Sequence, residues 1–336
     1  AFETGTPFIF FRDTVNRANP NKHAGMVYSS NLCTEIMQNM SPTVFVSEER
    51  EDGEVVYRYR PGDFVVCNLS SLNLGRLQST EDIARIVPIQ MRMLDNVIDL
   101  NYYPVKQAEA TNQKYRAVGL GTSGYHQYLA QNGIKWESEE HIEAADKLYE
   151  EIAYQAIKTS MELAREKGTY RVFEGSEWQT GEYFERRGYT DERWTSLKED
   201  VARYGMRNAW TFAVAPTGTT SLIAGSTAST DPVYAKFFVE EKRSGNIPQT
   251  APNLNENTFF YYKEAHRIDQ QWSIRAAGAR QVHIDQAQSF NLYITPQITA
   301  PEFLDLYIQA WENGLKTIYY VRNQSVEVED CVSCSA

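Results

Sequence analysis

Apolar residues recur every three or four positions in several parts of the chain, and this spacing predicts amphipathic helices. Residues 83–100 carry such a pattern. The stretch from Ser138 to Gly168 carries another, and these two residues suit the N-cap and the C-cap of a helix. Residues 300–313 form a third segment of this kind, with Pro301 near its first turn. Each of these helices is expected to bury one face.

Short apolar runs lie between the helical patterns and predict strands. A polar hairpin or loop is predicted for residues 41–63, and a helical hairpin or surface excursion for residues 174–206. Helical structure is also predicted for residues 13–20 and 253–280. Strands are predicted at residues 8–11, 64–70, 208–215, 284–294 and 316–322.

One stretch, residues 30–36, combines a thiol with an amide and a carboxylate. In an extended segment, alternate side chains share one face, so Asn31, Cys33 and Glu35 could contact one small ligand. The thiol could supply nucleophilic or one-electron chemistry, the carboxylate could move a proton, and the amide could hold a hydroxyl. The alternative is an ordinary strand with a half-buried cysteine, which is the commoner meaning of so short a segment.

A second polar stretch follows the strand predicted at residues 208–215. Hydroxyls and consecutive N–H groups at a helix start can surround an anion, and a glycine lets the backbone approach it closely. The stretch lacks the lysine of a Walker loop, so it is not a triphosphate P-loop. An ordinary turn rich in serine and threonine fits equally well. The candidate phosphate-binding residues are Thr217, Gly218, Thr219, Thr220 and Ser221.

Gly119, Gly121 and Gly124 match the spacing GxGxxG, which in some proteins binds dinucleotides. The pattern is weak by itself, and close packing of a helix or strand is favoured over cofactor binding. The pair Tyr319 and Tyr320 lies in the last predicted strand, where alternation would put the two rings on opposite faces. A relay of electrons and protons through these phenols is the functional alternative to simple packing.

Hydrophobic residues make up 42% of the 336 residues and charged residues 23%, as in a folded protein. The net charge of −11 argues against DNA binding and requires a local donor cluster for any anionic substrate. No apolar run could span a bilayer and no signal peptide opens the chain, so a cytoplasmic protein is expected. Because a strand is predicted almost at once and no initiator Met is present, the chain is expected to begin inside a domain.

Four cysteines are too few for a disulfide scaffold in a chain of this length: Cys33, Cys67, Cys331 and Cys334. The last two form a CxxC pair within residues 325–336, an acidic or small-residue stretch predicted to be a mobile tail. Zinc would need further ligands at fixed spacing, which are lacking, so no metal site is predicted. Dithiol–disulfide exchange by the tail is favoured instead.

Several motifs occur in a fixed order: SNLCTEI, VVCNLSSLNL, APTGTTS, KTIYYVR and the terminal cysteine pair. With the stretches PFIFFRDTVNRANP, RAVGLGTSGYHQYLA and HIDQAQSFNLYI, they resemble the large catalytic subunit of ribonucleotide reductase, in particular its class I branch. The likeness runs from end to end of this chain and covers the C-terminal part of that subunit. The resemblance implies an α/β fold, the second half of a ten-stranded α/β barrel, with the radical cysteine on a central finger loop. Residues 1–324 would form the half-barrel, and residues 325–336 the redox-active tail.

The resemblance also implies a role for each candidate residue. Cys33 would carry the thiyl radical, Glu35 would be the base on the ribose 3′-hydroxyl, and Asn31 would bond the ribose. Cys67 would belong to the reducing dithiol, with its partner cysteine upstream of this chain. Residues 217–221 would hold the substrate phosphates. Radical transfer would use Tyr319 and Tyr320, and re-reduction would use Cys331 and Cys334.

The same resemblance implies a ribonucleoside-diphosphate reductase with several partners. A companion chain would carry the N-terminal part of the large subunit, and a small subunit with a metal and tyrosyl cofactor would supply the radical. No cofactor would be bound in this chain, and thioredoxin or glutaredoxin would be the reductant. Two alternatives remain at this point: an adenosylcobalamin-dependent reductase of the same family, and a non-catalytic structural or thiol-exchange half-subunit.

Overall fold

The computed structural model describes residues 1–242 and 245–324, which combine helices with short strands. The helices are α1 (Arg12–Arg17), α2 (Glu81–Leu100), α3 (Lys106–Tyr115), α4 (Tyr125–Gln131), α5 (Glu139–Lys167), α6 (Glu177–Thr180), α7 (Glu182–Arg186), α8 (Glu192–Tyr204), α9 (Gly218–Ala224), α10 (Gln270–His283) and α11 (Ala300–Glu312). The strands are β1 (Ile9–Phe10), β2 (Val44–Glu51), β3 (Glu54–Arg60), β4 (Leu69–Asn73), β5 (Gly119–Ser123), β6 (Phe237–Lys242), β7 (Gly245–Thr250), β8 (Leu292–Ile294), β9 (Thr317–Ile318) and β10 (Val321–Asn323).

Parallel pairing runs through the centre of this part of the chain. β4 pairs in parallel with β5, and β8 pairs in parallel with β10. Single parallel bridges join Leu120 to Phe212 and Val214 to Gln288, which connects the two pairs through the chain around residues 212–214. Extended segments therefore lie side by side in chain order, and the predicted α/β fold is confirmed. Among the residues described, this array is open and does not close into a barrel.

Helices α2 and α5 pack against the parallel array and form a hydrophobic core with it. The predicted apolar positions of α2, such as Val87 and Met91, are buried in one core with Leu120 of β5 and Phe212 of the bridging chain. α5 begins where the Ser138 hydroxyl accepts the N–H of His141, and it ends at Gly168, as predicted. Capping satisfies the first free N–H groups of this helix.

The region from residue 174 to residue 206 is helical, but the alternative of a surface excursion is wrong. Its α6, α7 and α8 surround a second core of aromatic side chains, in which Trp178 and Trp194 are buried. The rings of Trp178 and Tyr183 stack with centroids 3.7 Å apart. Burial of large rings, rather than the polar residues between them, decides where this segment lies.

Several predicted boundaries move. The hairpin at residues 41–63 is confirmed as β2 and β3, but the strand predicted at residues 64–70 begins only at Leu69, so Cys67 precedes it in irregular chain. The last predicted strand is interrupted at the tyrosine pair, between β9 and β10. The helix predicted at residues 253–280 begins only at Gln270, as α10, and is preceded by turns and a short 3-10 segment.

The glycines of the GxGxxG stretch serve close packing, as favoured by the sequence. A Cβ on Gly121 would lie 2.3 Å from the Ala213 carbonyl oxygen, and one on Gly119 would lie 2.5 Å from Leu69. Only glycine lets β5 approach its two neighbours this closely. Within residues 1–242 and 245–324, no helix has both the length and the apolar character that crossing a membrane requires.

Candidate active site

The segment around Cys33 is a tight turn, so the prediction of an extended strand is wrong. The N–H of Thr34 bonds the Asn31 carbonyl at 3.1 Å, and Thr34 has a left-handed φ of 68°. The reversal brings Asn31 and Glu35 together: the Asn31 amide donates to Glu35 Oε2 at 2.9 Å. The amide and the carboxylate on either side of Cys33 are therefore in contact, and a turn rather than a strand brings them together. We call residues 31–35 the Cys33 turn.

Three carbonyl groups of the Cys33 turn accept hydrogen bonds from distant parts of the chain. Ser289 donates its hydroxyl to the Cys33 carbonyl at 2.5 Å, and Thr317 donates its hydroxyl to the Thr34 carbonyl at 3.1 Å. The N–H of Ala287 donates to the Glu35 carbonyl at 2.9 Å. The turn is thus attached to the parallel array and to β9 by its backbone. Sequence reasoning missed Ser289 and Thr317, because a single hydroxyl inside a predicted strand carries no distinctive spacing.

The carboxyl of Glu35 is almost completely buried, at 1% exposure. Loss of hydration raises its pKa, while hydrogen bonds from Asn31, from its own N–H and from Ser289 oppose the rise. A raised pKa brings a carboxyl closer to neutral pH, where it can both accept and release a proton. This is the property expected of a general base beside Cys33.

Cys67 and Asn31 line one concave pocket of about 510 Å³. Although Cys67 is exposed to this pocket, desolvation by surrounding protein atoms raises the pKa of its thiol to about 11. The negative charge of Glu35 adds to this rise, and the Asn31 amide opposes it. Cys67 is therefore a protonated thiol at neutral pH, which can give up a proton and an electron rather than act as a thiolate.

The two tyrosines are in contact, which corrects the prediction of opposite faces. The rings of Tyr319 and Tyr320 have centroids 4.4 Å apart, because the chain leaves strand geometry between β9 and β10. Phe8 contacts both rings, at 4.7 Å and 4.9 Å. The Tyr319 hydroxyl lies 3.7 Å from Cys33 Sγ. A phenol pair therefore ends directly at the thiol.

Tyr320, the tyrosine farther from Cys33, is positioned by polar groups around its backbone and ring. The N–H of Tyr320 donates to the Asn291 side-chain oxygen at 3.1 Å, and the Asn291 amide donates to Asp231 at 2.9 Å. The Arg322 guanidinium lies 4.7 Å from the Tyr320 ring centroid. Burial raises the pKa of Asp231 to about 7, against the opposing effects of Asn291 and two arginines. None of these supporting groups was predicted from the sequence.

The predicted phosphate-binding stretch also forms a turn, at the start of α9 as expected. Thr217 has a left-handed φ of 53°, and its hydroxyl lies 2.8 Å from that of Ser221. The N–H of Ser229 donates to the same Thr217 hydroxyl at 2.7 Å. A Cβ built on Gly218 would meet nothing within 4 Å, so the backbone there faces open space. We call residues 217–221 the Thr217 turn.

The remaining candidates, Cys331 and Cys334, lie outside the described residues. Among the residues that the structure does describe, no group of three or more His, Cys, Asp or Glu side chains is placed to hold a metal ion.

The fold and the site together define a class of protein: an α/β domain in which a cysteine turn, a buried carboxyl and a tyrosine pair meet. The chain belongs to the ribonucleotide reductase family: the model described as "Ribonucleotide reductase, barrel domain" matches residues 1–321. The resemblance drawn from the motifs is confirmed.

Curated relatives agree with this membership. The chain is 55% identical over 340 residues to the ribonucleoside-diphosphate reductase subunit alpha of Treponema pallidum, covering 99% of this chain and 40% of that protein. It is 40% identical over 380 residues to the subunit alpha of Helicobacter pylori, covering 98% and 48%. It is 33% identical over 358 residues to that of Bacillus subtilis, covering 99% and 50%. The chain thus spans about half the length of these relatives or somewhat less.

Proposed function

We propose that this chain is the C-terminal catalytic portion of a ribonucleoside-diphosphate reductase large subunit. The observation that carries the proposal is the contact of the Tyr319 hydroxyl with Cys33 Sγ at 3.7 Å, beside the buried Glu35 carboxyl. This arrangement suits a thiol that is oxidised by one electron through a phenol. The names of the curated relatives support the choice of a nucleoside diphosphate as substrate.

The open parallel array is the half-barrel of this proposal, and the Cys33 turn is its central finger loop. Support comes from the bonds that attach the turn to residues 287–289 and to Thr317. In the assembled subunit, a further set of strands would complete the barrel. We propose that those strands belong to the N-terminal part of the large subunit, carried by a companion chain.

Radical transfer would pass from Tyr320 to Tyr319 and then to Cys33. Ring contact at 4.4 Å and the short step from oxygen to sulfur favour transfer of an electron together with a proton. The radical would come from a small subunit with a metal and tyrosyl cofactor. At the site, this chain's own part is to align the phenols and to exclude water around Tyr319, which is 2% exposed.

The chemistry at the ribose would then follow from the residues around Cys33. The Cys33 thiyl takes the 3′-hydrogen atom, and Glu35 takes the proton of the 3′-hydroxyl. The 2′-hydroxyl leaves as water after accepting a proton from the dithiol that includes Cys67, and Asn31 bonds the ribose. Two electrons from this dithiol reduce the 2′ carbon, so a disulfide forms as the deoxyribose forms. Finally Glu35 returns its proton to the 3′ oxygen, and the 3′-hydrogen returns from Cys33 to the sugar, which regenerates the thiyl radical.

Substrate binding and re-reduction complete the proposal. The Thr217 turn would hold the substrate phosphates, since its hydroxyls and open backbone supply neutral donors in a chain of net charge −11. Cys331 and Cys334 would return the active-site disulfide to a dithiol, with thioredoxin or glutaredoxin as the external reductant.

Cys33→Ser in the reconstituted complex of large and small subunits tests the proposed function. Deoxyribonucleotide formation is expected to fall by more than about a thousandfold, because a hydroxyl does not form the radical under these conditions. Binding of the nucleoside diphosphate should be retained, since serine preserves the size of the side chain. Deoxyribonucleotide formation at the parent rate would disprove the assignment of Cys33 as the radical site.

A further inference from the structure

Ser289 lies between two acceptors of the Cys33 turn. Its Oγ is 2.5 Å from the Cys33 carbonyl oxygen and 3.3 Å from Glu35 Oε2. Ser289 is fully buried, and its N–H donates to the Val214 carbonyl at 2.9 Å, so its backbone is fixed in the parallel array. A serine hydroxyl carries one proton and can donate it to only one acceptor at a time. The hydroxyl must therefore choose between the Cys33 backbone and the Glu35 carboxyl.

The two oxygens of Glu35 differ in their surroundings. Oε2 accepts the Asn31 amide at 2.9 Å and also faces the Ser289 hydroxyl. No side chain among residues 1–242 and 245–324 donates a hydrogen bond to Oε1. The convergence of both side-chain donors on Oε2 holds the carboxyl plane in a fixed orientation and leaves Oε1 without a side-chain donor among the described residues.

We propose that Ser289 is a positioning residue whose hydroxyl is shared between the Glu35 carboxylate and the Cys33 carbonyl, which assigns Oε1 as the oxygen that exchanges a proton with substrate. The proposal rests on the proposed function. When Glu35 is ionised, the Ser289 hydroxyl donates to Oε2. When Glu35 is protonated, the hydroxyl donates to the Cys33 carbonyl. The serine only rotates, so it gains and loses no proton in this exchange.

This sharing connects the acid–base state of Glu35 to the backbone of the radical cysteine. The Cys33 carbonyl has its serine donor only while Glu35 is protonated. The state in which Glu35 has accepted the 3′-hydroxyl proton is therefore the state in which the Cys33 turn is most firmly held. Such a link would keep Cys33 Sγ in place while the substrate radical exists.

The other groups that face Glu35 cannot replace this hydroxyl. The titratable side chains around the carboxyl are Cys67, Cys33 and, beyond the sulfur, Tyr319. Each of these groups is either neutral or negatively charged, so none of them supplies a positive charge to the Glu35 anion. Within the described ranges, Glu35 forms no ion pair with a lysine, arginine or histidine. Stabilisation of its anion thus depends on the Asn31 amide, its own N–H and Ser289.

The test is an infrared titration of the Glu35 carboxyl in the assembled reductase, with the band identified by its loss in Glu35→Gln. Ser289→Ala should raise the Glu35 pKa by about one unit, because the anion loses a donor. Ser289→Thr keeps the hydroxyl and should restore the parent titration. The matched control is Ser273→Ala, since Ser273 is a buried serine that accepts the Trp136 N–H at 3.0 Å away from this site.

An unchanged Glu35 titration in Ser289→Ala would overturn the proposal, and so would an equal shift in Ser273→Ala. If Ser289→Ala does not fold, Ser289→Cys replaces it, because a thiol fills the same space but is a weak donor. If Glu35 in the Ser289→Cys variant titrates as it does in the parent protein, the proposal is also overturned. The titration measures protonation of Glu35 and not turnover, so its outcome is independent of the Cys33→Ser assay. Retained turnover in that assay would remove the proposed function and leave the hydrogen-bond sharing to be decided here.

Discussion

The Cys33 turn and the Thr217 turn are similar in their local geometry and different in what holds them. Each contains a threonine in the left-handed region, Thr34 at φ 68° and Thr217 at φ 53°. The Cys33 turn is attached by Ser289 and Thr317, which come from the other end of the chain. The Thr217 turn uses its own neighbours, Ser221 four residues later and Ser229 twelve residues later.

This difference matches the proposed work of each turn. Hydrogen-atom transfer requires donor and acceptor atoms at a fixed short distance, and long-range bonds in a buried site provide it. Phosphate binding needs accessible donors, and a turn built from local bonds provides those at its exposed residues, Gly218 and Thr220. A left-handed threonine costs on the order of 1–3 kcal/mol, so each turn must be held by the bonds around it.

Removal of the phenol that contacts Cys33 should have the largest effect. Tyr319→Phe keeps the ring against Phe8 but removes the hydroxyl 3.7 Å from Cys33 Sγ. Turnover by the full complex should fall by at least about a thousandfold, with folding unchanged. The matched control is Tyr307→Phe, since the buried hydroxyl of Tyr307 has no hydrogen-bond partner. A Tyr319→Phe enzyme within tenfold of the parent rate would show that the contact does not carry the radical.

A pH-dependent effect on stability is expected at Asp231, which follows the Thr217 turn in the chain and accepts the Asn291 amide beside Tyr320. Burial raises its pKa from 3.8 to about 7, so the folded protein holds this proton more tightly than the unfolded chain does. Its contribution to stability is full below about pH 4 and is lost as the pH rises through 7. Asp231→Asn, which still accepts from Asn291, should remove this loss of up to about 4 kcal/mol.

Urea unfolding of the parent and Asp231→Asn at pH 5 and pH 8 measures the effect. The variant should gain stability relative to the parent at the higher pH. An identical difference at both pH values would contradict the raised pKa. If turnover also changes in Asp231→Asn, the hydrogen bonds from Asp231 through Asn291 to Tyr320 connect this region to the radical-transfer residues. The Cys33 turn would then depend on residues near the Thr217 turn as well as on Ser289 and Thr317.

The smallest effect is expected in the Thr217 turn. Thr217→Ala removes the hydroxyl that accepts from Ser229 and lies beside that of Ser221. The KM for the nucleoside diphosphate should rise about fivefold, near 1 kcal/mol, while kcat stays within about twofold. Thr195→Ala, on the exposed surface of α8, is the control and should change neither. A fall in kcat with an unchanged KM would mean that the turn acts on the chemical step instead.

Local chemistry made much of this architecture predictable. The long helices α2, α5 and α11 followed from apolar spacing, and Ser138 and Gly168 do cap α5. The motifs around Cys33 and the tyrosine pair led to the family, because several short motifs in one order are specific. The prediction failed where distant residues decide the conformation, as at the extended segment proposed for residues 30–36.

The sequence by itself determined which groups are available: a thiol between an amide and a carboxylate, a hydroxyl-rich turn and two adjacent tyrosines. It determined these because residue types and their short-range spacing can be read directly from the sequence. Only the tertiary structure decided that Tyr319 contacts Cys33, that both phenol rings meet, and that Ser289 bonds the Cys33 turn. The contacts of Tyr319 and Ser289 with the Cys33 turn join residues more than 250 positions apart, and their geometry arises only when the parallel array brings the two ends of the chain together.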